Sequence, residues 1–348
     1  MQLRNALFGT VAAAALAAVG PAGVAAAQDV TFSSWGGAYQ EAQRDAMLTP
    51  AEEALGIEIA GDSHTGLAAT KTQVLSGNVY WDVVDLSVTD CQRGARDGLW
   101  EPLDYSLIPN ADDLPDDFKT ESWVGLITYS TVVGWNTDTV SDKVPSNWAE
   151  FFDAESFPGQ RTMRNTARES LEIALMADGV PRDELYPLDV DRAYAKLEEI
   201  KPHITTWWTS GAQSAQLIAD GSVDYAALWN GRIQAAIEDG ASADYHFNEA
   251  VMQVECLVVP KGTANAEMAM KVINEMLDPE NQASFATKIP YGPVNPKAFD
   301  VGILTEEQID GLPSSETHLA QSLVLNAEFW TSEEREEALA RWKRFVQE

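Results

Sequence analysis

The 348 residues carry 54 acidic side chains against 23 basic ones, a formal net charge of −31. Such a surface repels nucleic acid and anionic membranes, which are held through basic contacts, and it suits either solubility in a salty medium or the approach of cations. At this length two domains are expected rather than one core.

Residues 1–27 hold one charge, Arg4, then an apolar run over 6–18 and the small-residue stretch Val24-Ala25-Ala26-Ala27. This three-part pattern predicts a cleaved secretory signal with Gln28 as the first mature residue. The apolar run is shorter than the roughly 20 residues of a bilayer span and is followed by Gly20 and Pro21, so a soluble periplasmic protein is expected. No cysteine lies at the cleavage point, so no lipid anchor is expected there. Thiols are oxidised in that compartment, and Cys91 and Cys256 form one disulfide or none. Neither lies in a CxxC or Cys/His array, so no zinc site is expected.

From 29 onward, short apolar segments alternate with helical patterns. Residues 29–33 read as a strand, 38–55 as a helix broken by Pro50, 57–60 as a strand, 67–75 as a helix and 81–86 as a buried strand. This βαβαβ rhythm predicts an open, largely parallel sheet covered by helices. A second unit follows the strand at 126–135: helix 148–152, strand 160–163, helices 167–176 and 190–200, strand 204–207, helix 212–219 and strand 224–228. An extended segment, 254–260, then leads to a helix over 264–277. Two extended crossings, near 126–137 and 251–260, predict a chain that leaves one lobe, builds a second and returns. Lobe 1 is expected over 28–135 and about 257–310, and lobe 2 over 136–256 and about 311–348. Ligands of such sheets gather at the carboxyl ends of strands, here Ser34-Trp35-Gly36-Gly37 and residues 87–90.

Catalytic signals are sparse: no GxSxG, HExxH or GxxxxGK[ST] pattern occurs, and the four histidines stand singly. A binding protein without cofactor is therefore expected, with an enzyme assembled from distant residues as the alternative. Tryptophan is the unusual component, eleven in all. Trp35, Trp208 and Trp229 stand at predicted strand ends and Trp330 in a late loop, where their rings could wall a pocket for a cationic group. The other reading, a core role, is preferred for Trp81, Trp100, Trp123, Trp135 and Trp148.

In their order and spacing, several motifs resemble the spermidine/putrescine-binding (polyamine) family of bacterial ABC-transporter solute-binding proteins. They are Trp35, Trp81-Asp82-Val83-Val84, the stretch from Gly98 to Asp104, Ala167-Arg168-Glu169, Trp229-Asn230-Gly231, the stretch from Glu255 to Pro260, and Tyr291-Gly292-Pro293-Val294-Asn295. The resemblance implies a two-lobed α/β periplasmic-binding-protein fold of type II, which closes about a hinge on a small ligand and is then read by a membrane permease; a monomer is expected. It makes Trp35, Trp229 and Tyr291 the aromatic walls, with Tyr39 and Ser87 in the first lobe's contribution. Glu169 and Glu255 become the carboxylates that meet a ligand amine. For Glu169 the alternative is an exposed helix position like that expected of Glu172.

Three departures bear on the ligand. Thr166 stands where the family often has a second acid, Gln253 where an aromatic residue is common, and Arg232 where a small residue is usual. Fewer acids and an added Arg suit a ligand with one onium centre and a carboxylate, since Arg binds carboxylates bidentately, unless Arg232 points to solvent. A polyamine is the leading expectation and a zwitterion such as a betaine the alternative. A ferric carrier would need the adjacent tyrosine pair that is missing here. An oxyanion site could use Thr209-Ser210-Gly211 at a helix start.

Overall fold

The computed structural model describes residues 29–141 and 143–347. The expected signal and cleavage point lie outside these residues. The strands are β1 (Val30–Ser34), β2 (Ile59–Ser63), β3 (Val83–Ser87), β4 (Val124–Asn136), β5 (Arg161–Arg164), β6 (Ile204–Trp208), β7 (Tyr225–Trp229), β8 (Ala243–Val258), β9 (Gly292–Pro293) and β10 (Leu323–Val324). They form one sheet in the order β2-β1-β3-β8-β4-β7-β5-β6, with β9 on β4 and β10 on β8.

The sheet divides around its two longest strands. β4 and β8 run antiparallel from Val124 opposite Leu257 to Asn136 opposite Ala243, with register shifts between Gly125 and Ile127 and between Thr131 and Val133. At one end β8 pairs with β3, which lies beside the parallel strands β1 and β2. At the other end β4 pairs with β7, which leads to the parallel strands β5 and β6. Two strands thus serve both lobes, and their shifted middle is the natural place for bending. Each lobe has its own apolar core. One gathers Val30, Phe32, Met47, Leu126 and Ile273, and the other Trp148, Phe151, Leu171, Tyr194 and Trp342. This is the expected two-lobed α/β architecture.

β3 (VVDLS) is buried throughout because helices cover both faces, so it reads as a continuous run rather than an alternation. Ser87 ends it and caps the helix Val88–Arg96 by accepting from the Asp90 N–H at 3.4 Å. Pro50 does not break the helical segment as expected. A π-helical turn over Arg44–Leu48 precedes it, and Pro50 falls in the first turn of Thr49–Leu55, where its missing N–H costs nothing. Cys91 and Cys256 are joined by a disulfide with 6.6 Å between Cα atoms. No helix among the described residues is long and apolar enough to cross a membrane.

Candidate functional site

Between the lobes, at the carboxyl ends of the central strands, lies a cavity of about 470 Å3. Its floor is a row of aromatic rings. Tyr39 meets Tyr291 at 6.0 Å between centroids, Tyr291 meets Tyr129 at 5.7 Å and Tyr129 meets Trp229 at 5.7 Å, with the buried Trp208 edge-on behind Trp229 at 5.1 Å.

The two ends of the cavity carry opposite charge. At the first-lobe end, Glu255 of β8 lies opposite Ser87 of β3 and accepts from Trp35 Nε1 at 3.2 Å, with Asp90 close by on the wall. Trp35 is held by an edge contact to His64, 4.7 Å away, whose Nε2 donates to the Asp85 carbonyl at 2.7 Å while Nδ1 accepts from the Gly66 N–H. Burial lowers the His64 pKa and keeps that ring neutral. At the second-lobe end stand Arg164, Arg168 and Arg232, with Thr209, Ser210 and Gly211 at the start of the helix Gly211–Ala219.

These arginines differ in what they are free to do. Arg164 Nη1 pairs with Glu169 at 3.0 Å, and its guanidinium lies over the Trp229 ring at 4.7 Å. Burial works against its charge, but the Glu169 carboxylate together with Tyr129 and Glu255 outweighs that and raises the pKa. Arg168 reaches across the cleft and donates to Ser87 Oγ and Thr89 Oγ1 of the first lobe. Arg232 has no carboxylate partner among the described residues. Its Nε is a buried donor without a protein acceptor, as is Trp229 Nε1.

Of the residues expected at the site, Trp35, Tyr39, Ser87, Trp229, Glu255 and Tyr291 line the cavity. Three do not. Glu169 is 1% exposed, and its carboxylate accepts from Thr131 Oγ1 and Gln253 Nε2 at 2.6 Å each as well as from Arg164. The helix Ala167–Ala177 opens with a kink in which Arg168 is extended and Glu169 takes a left-handed φ of 66°. This turns Glu169 onto the side chains of Thr131 and Gln253 and leaves Arg168 facing the cleft. Trp208 is fully buried, donates to the Ala227 carbonyl at 2.9 Å and braces Trp229 from behind. Trp330 is buried and donates to Glu172 at 2.5 Å. Glu172 is itself buried rather than exposed, and burial pushes its carboxyl up to about 7 against the hydrogen bonds from Tyr186 and Trp330. Sequence reasoning missed Tyr129, Arg164 and Arg168. Only the last sat in a quoted motif, with the role assigned to its neighbour.

Residues 46–310 match the family described as bacterial extracellular solute-binding protein. The chain belongs to that family. This solute-binding protein is 35% identical to the gamma-aminobutyric acid-binding protein of Pseudomonas aeruginosa, covering 97% of this chain and 96% of that one. It is 27% identical to spermidine/putrescine-binding periplasmic protein 1 of Haemophilus influenzae, covering 73% of each. The crystal structure of an ABC transporter substrate-binding protein from Bradyrhizobium japonicum superposes with a TM-score of 0.88 at 46% identity, covering 91% of this chain and 98% of that one. The family role is capture of a small solute for an ABC transporter, and the solute-binding protein is not an enzyme.

Proposed function

We propose that the protein works in the periplasm and captures a small zwitterion, an ω-amino acid of the 4-aminobutanoate type, for an ABC permease. The observation that carries this reading is the bipolar cleft, with Glu255 at one end and, at the other, Arg232, which has no carboxylate partner among the described residues, beside the orphan donor Trp229 Nε1. Two buried donors without acceptors call for an acceptor with several lone pairs, and a carboxylate supplies them. The N-terminus of the helix Gly211–Ala219 adds positive potential at the same end. A ligand amine then meets Glu255 and the Trp35 face. Because the two poles belong to different lobes, a zwitterion spanning them favours the closed arrangement. A diamine would set its second ammonium against Arg232. The similarity to a gamma-aminobutyric acid-binding protein over nearly the whole chain supports the same ligand class.

Calorimetry with 4-aminobutanoate, putrescine, glycine betaine and butanoate tests this. 4-Aminobutanoate is expected to bind with a Kd in the micromolar range or below, about −8 kcal/mol or better. Putrescine and butanoate, each lacking one pole, should bind at least about 100-fold more weakly. Tighter binding of putrescine would favour the polyamine reading and overturn this one.

Two glycines let the walls approach so closely. A Cβ at Gly211 would lie 2.7 Å from Arg232 Nε and 3.0 Å from the Trp229 ring, and one at Gly231 would lie 2.5 Å from the Tyr291 ring. Gly211→Ala is expected to displace the Arg232 side chain and weaken 4-aminobutanoate binding about tenfold, with thermal stability changed little. Unchanged affinity by calorimetry would place the ligand elsewhere than against Arg232.

A further inference from the structure

Behind the acidic end of the cleft lies a carboxyl that the binding reading does not use. Asp85 is fully buried on β3, two residues before Ser87, and therefore points to the same face of the sheet. Ser87 is directly opposite Glu255, so Asp85 and Glu255 are diagonal neighbours on one face, about 7 Å apart along the backbone. Asp85 Oδ2 accepts from Ser34 Oγ at 3.0 Å and Gln43 Nε2 at 2.8 Å, while Oδ1 has no donor in hydrogen-bonding geometry. Among the described residues the Glu255 carboxylate accepts from Trp35 Nε1 alone. Neither forms an ion pair among the described residues.

The rest of the surround brings more negative or neutral groups than positive ones. Asp90 faces the pair from the helix Val88–Arg96, the Tyr39 phenol from the helix Gly37–Gln43, Tyr129 from β4 and Tyr291 from the segment before β9. Two cations act on Glu255 from the second lobe. Arg168 is already bonded to Ser87 and Thr89, and Arg164 is paired with Glu169.

We propose that Asp85 and Glu255 together hold one proton in the ligand-free protein and release it to solvent when a ligand ammonium enters, so that capture is coupled to proton release. The inference rests on the reading that an ammonium docks at Glu255. Two buried carboxyls on one face cannot both ionise cheaply without a cation, and the ligand supplies that cation. Burial, and for Glu255 also the charge on Asp85, pushes both groups up, Asp85 to about 7 and Glu255 well above the carboxylate range. The sign follows. The free protein holds the proton below the pKa of the pair and the complex does not, so affinity rises with pH up to that pKa and is flat beyond it. The slope is at most about tenfold per pH unit, one proton per ligand.

Two measurements decide the matter. Carbon-13 carboxyl NMR of the ligand-free protein should show a carboxyl titrating above about pH 6 that disappears in Glu255→Gln, while the Glu172 step remains. In Asp85→Asn the Glu255 step should move down in pH. Calorimetry with 4-aminobutanoate near neutral pH, in two buffers of different ionisation enthalpy, should give a buffer-dependent heat reporting proton release, smaller in Asp85→Asn. If no carboxyl step above about pH 6 depends on Glu255, the proposal is overturned whatever the ligand. A buffer-independent heat overturns the coupling. No heat with 4-aminobutanoate in either buffer would count against the zwitterion reading instead, and the NMR titration would still decide whether the pair holds a proton.

Discussion

Arg232→Met is expected to weaken 4-aminobutanoate binding by about 100-fold or more, a loss near 3 kcal/mol, with the folded structure retained. The side chain projects from the first turn of the helix Asn230–Glu238, packs against Gly211 and meets the Tyr291 hydroxyl, and its Nε has no acceptor among the described residues. Like Arg168 it has no ion pair with an acid among the described residues, and the first-lobe group it meets is the neutral Tyr291 phenol, which leaves its charge available to a ligand carboxylate. Removing it would leave the ligand carboxylate desolvated against aromatic rings with only the helix N-terminus and Trp229 Nε1 as donors. Arg232→Lys keeps the charge but loses the planar fork, and a smaller loss of about tenfold is expected. The same Arg232→Met change should improve putrescine binding, because it removes the like charge facing the second ammonium. Calorimetry on wild type and both variants, with circular dichroism to check folding, reads all three outcomes. If Arg232→Met binds 4-aminobutanoate within about threefold of wild type, the carboxylate end of the cleft has been assigned wrongly.

Much of the scaffold was legible because it rests on periodicity. The βαβ rhythm of the first lobe, the second set of strands and helices, and the crossings that became β4 and β8 all show in the apolar pattern. β8 was read only in its second half, from about 251. Its beginning carries Asp244, His246, Asn248 and Glu249 among the buried residues, and Glu249 adopts a φ of 55°, so the alternation breaks before the continuously buried run from Ala250. The site was legible where a residue's position follows from its strand. Trp35, Ser87, Trp229 and Glu255 end or lie on central strands, and the topology carries them to the cleft.

What stayed hidden depends on backbone detail and on pairing. Nothing in Ala167-Arg168-Glu169 announces that a left-handed residue will turn the acid inward and the base outward. With Glu169 satisfied by Arg164, Thr131 and Gln253, the departures at Gln253 and Arg232 acquire separate meanings. Gln253 supports a buried ion pair beneath the cleft, whereas Arg232 changes the charge of the cleft itself. The shift of the ligand reading from a diamine toward a zwitterion rests on that distinction, which residue type alone does not make.

Replacing both cysteines by alanine is expected to lower the unfolding free energy by about 2–5 kcal/mol. Cys91 and Cys256 are both buried, and the bond closes a loop with a sequence separation of 165, which contains the second-lobe strands β5, β6 and β7. In the chain-entropy account a loop of that length gives a contribution near the top of the range, about 5 kcal/mol, reduced by whatever structure the denatured chain retains. The link also has a local consequence. It pins β8 one residue beyond Glu255 to the helix that Ser87 caps and that carries Asp90, so both sides of the acidic pole are referred to one cross-link. Trp100 reinforces that helix by donating to the Cys91 carbonyl at 2.7 Å and filling the space beside Gly94, where any Cβ would strike its ring. This packing remains in the double variant, so the fold should persist and the acidic pole loosen rather than collapse. Urea denaturation of Cys91→Ala/Cys256→Ala against wild type measures the stability, and calorimetry on the folded variant measures the pole, with a weaker ligand affinity expected. A stability change below about 1 kcal/mol would mean that the denatured chain already holds these strands together, and the entropic account of the link would fail.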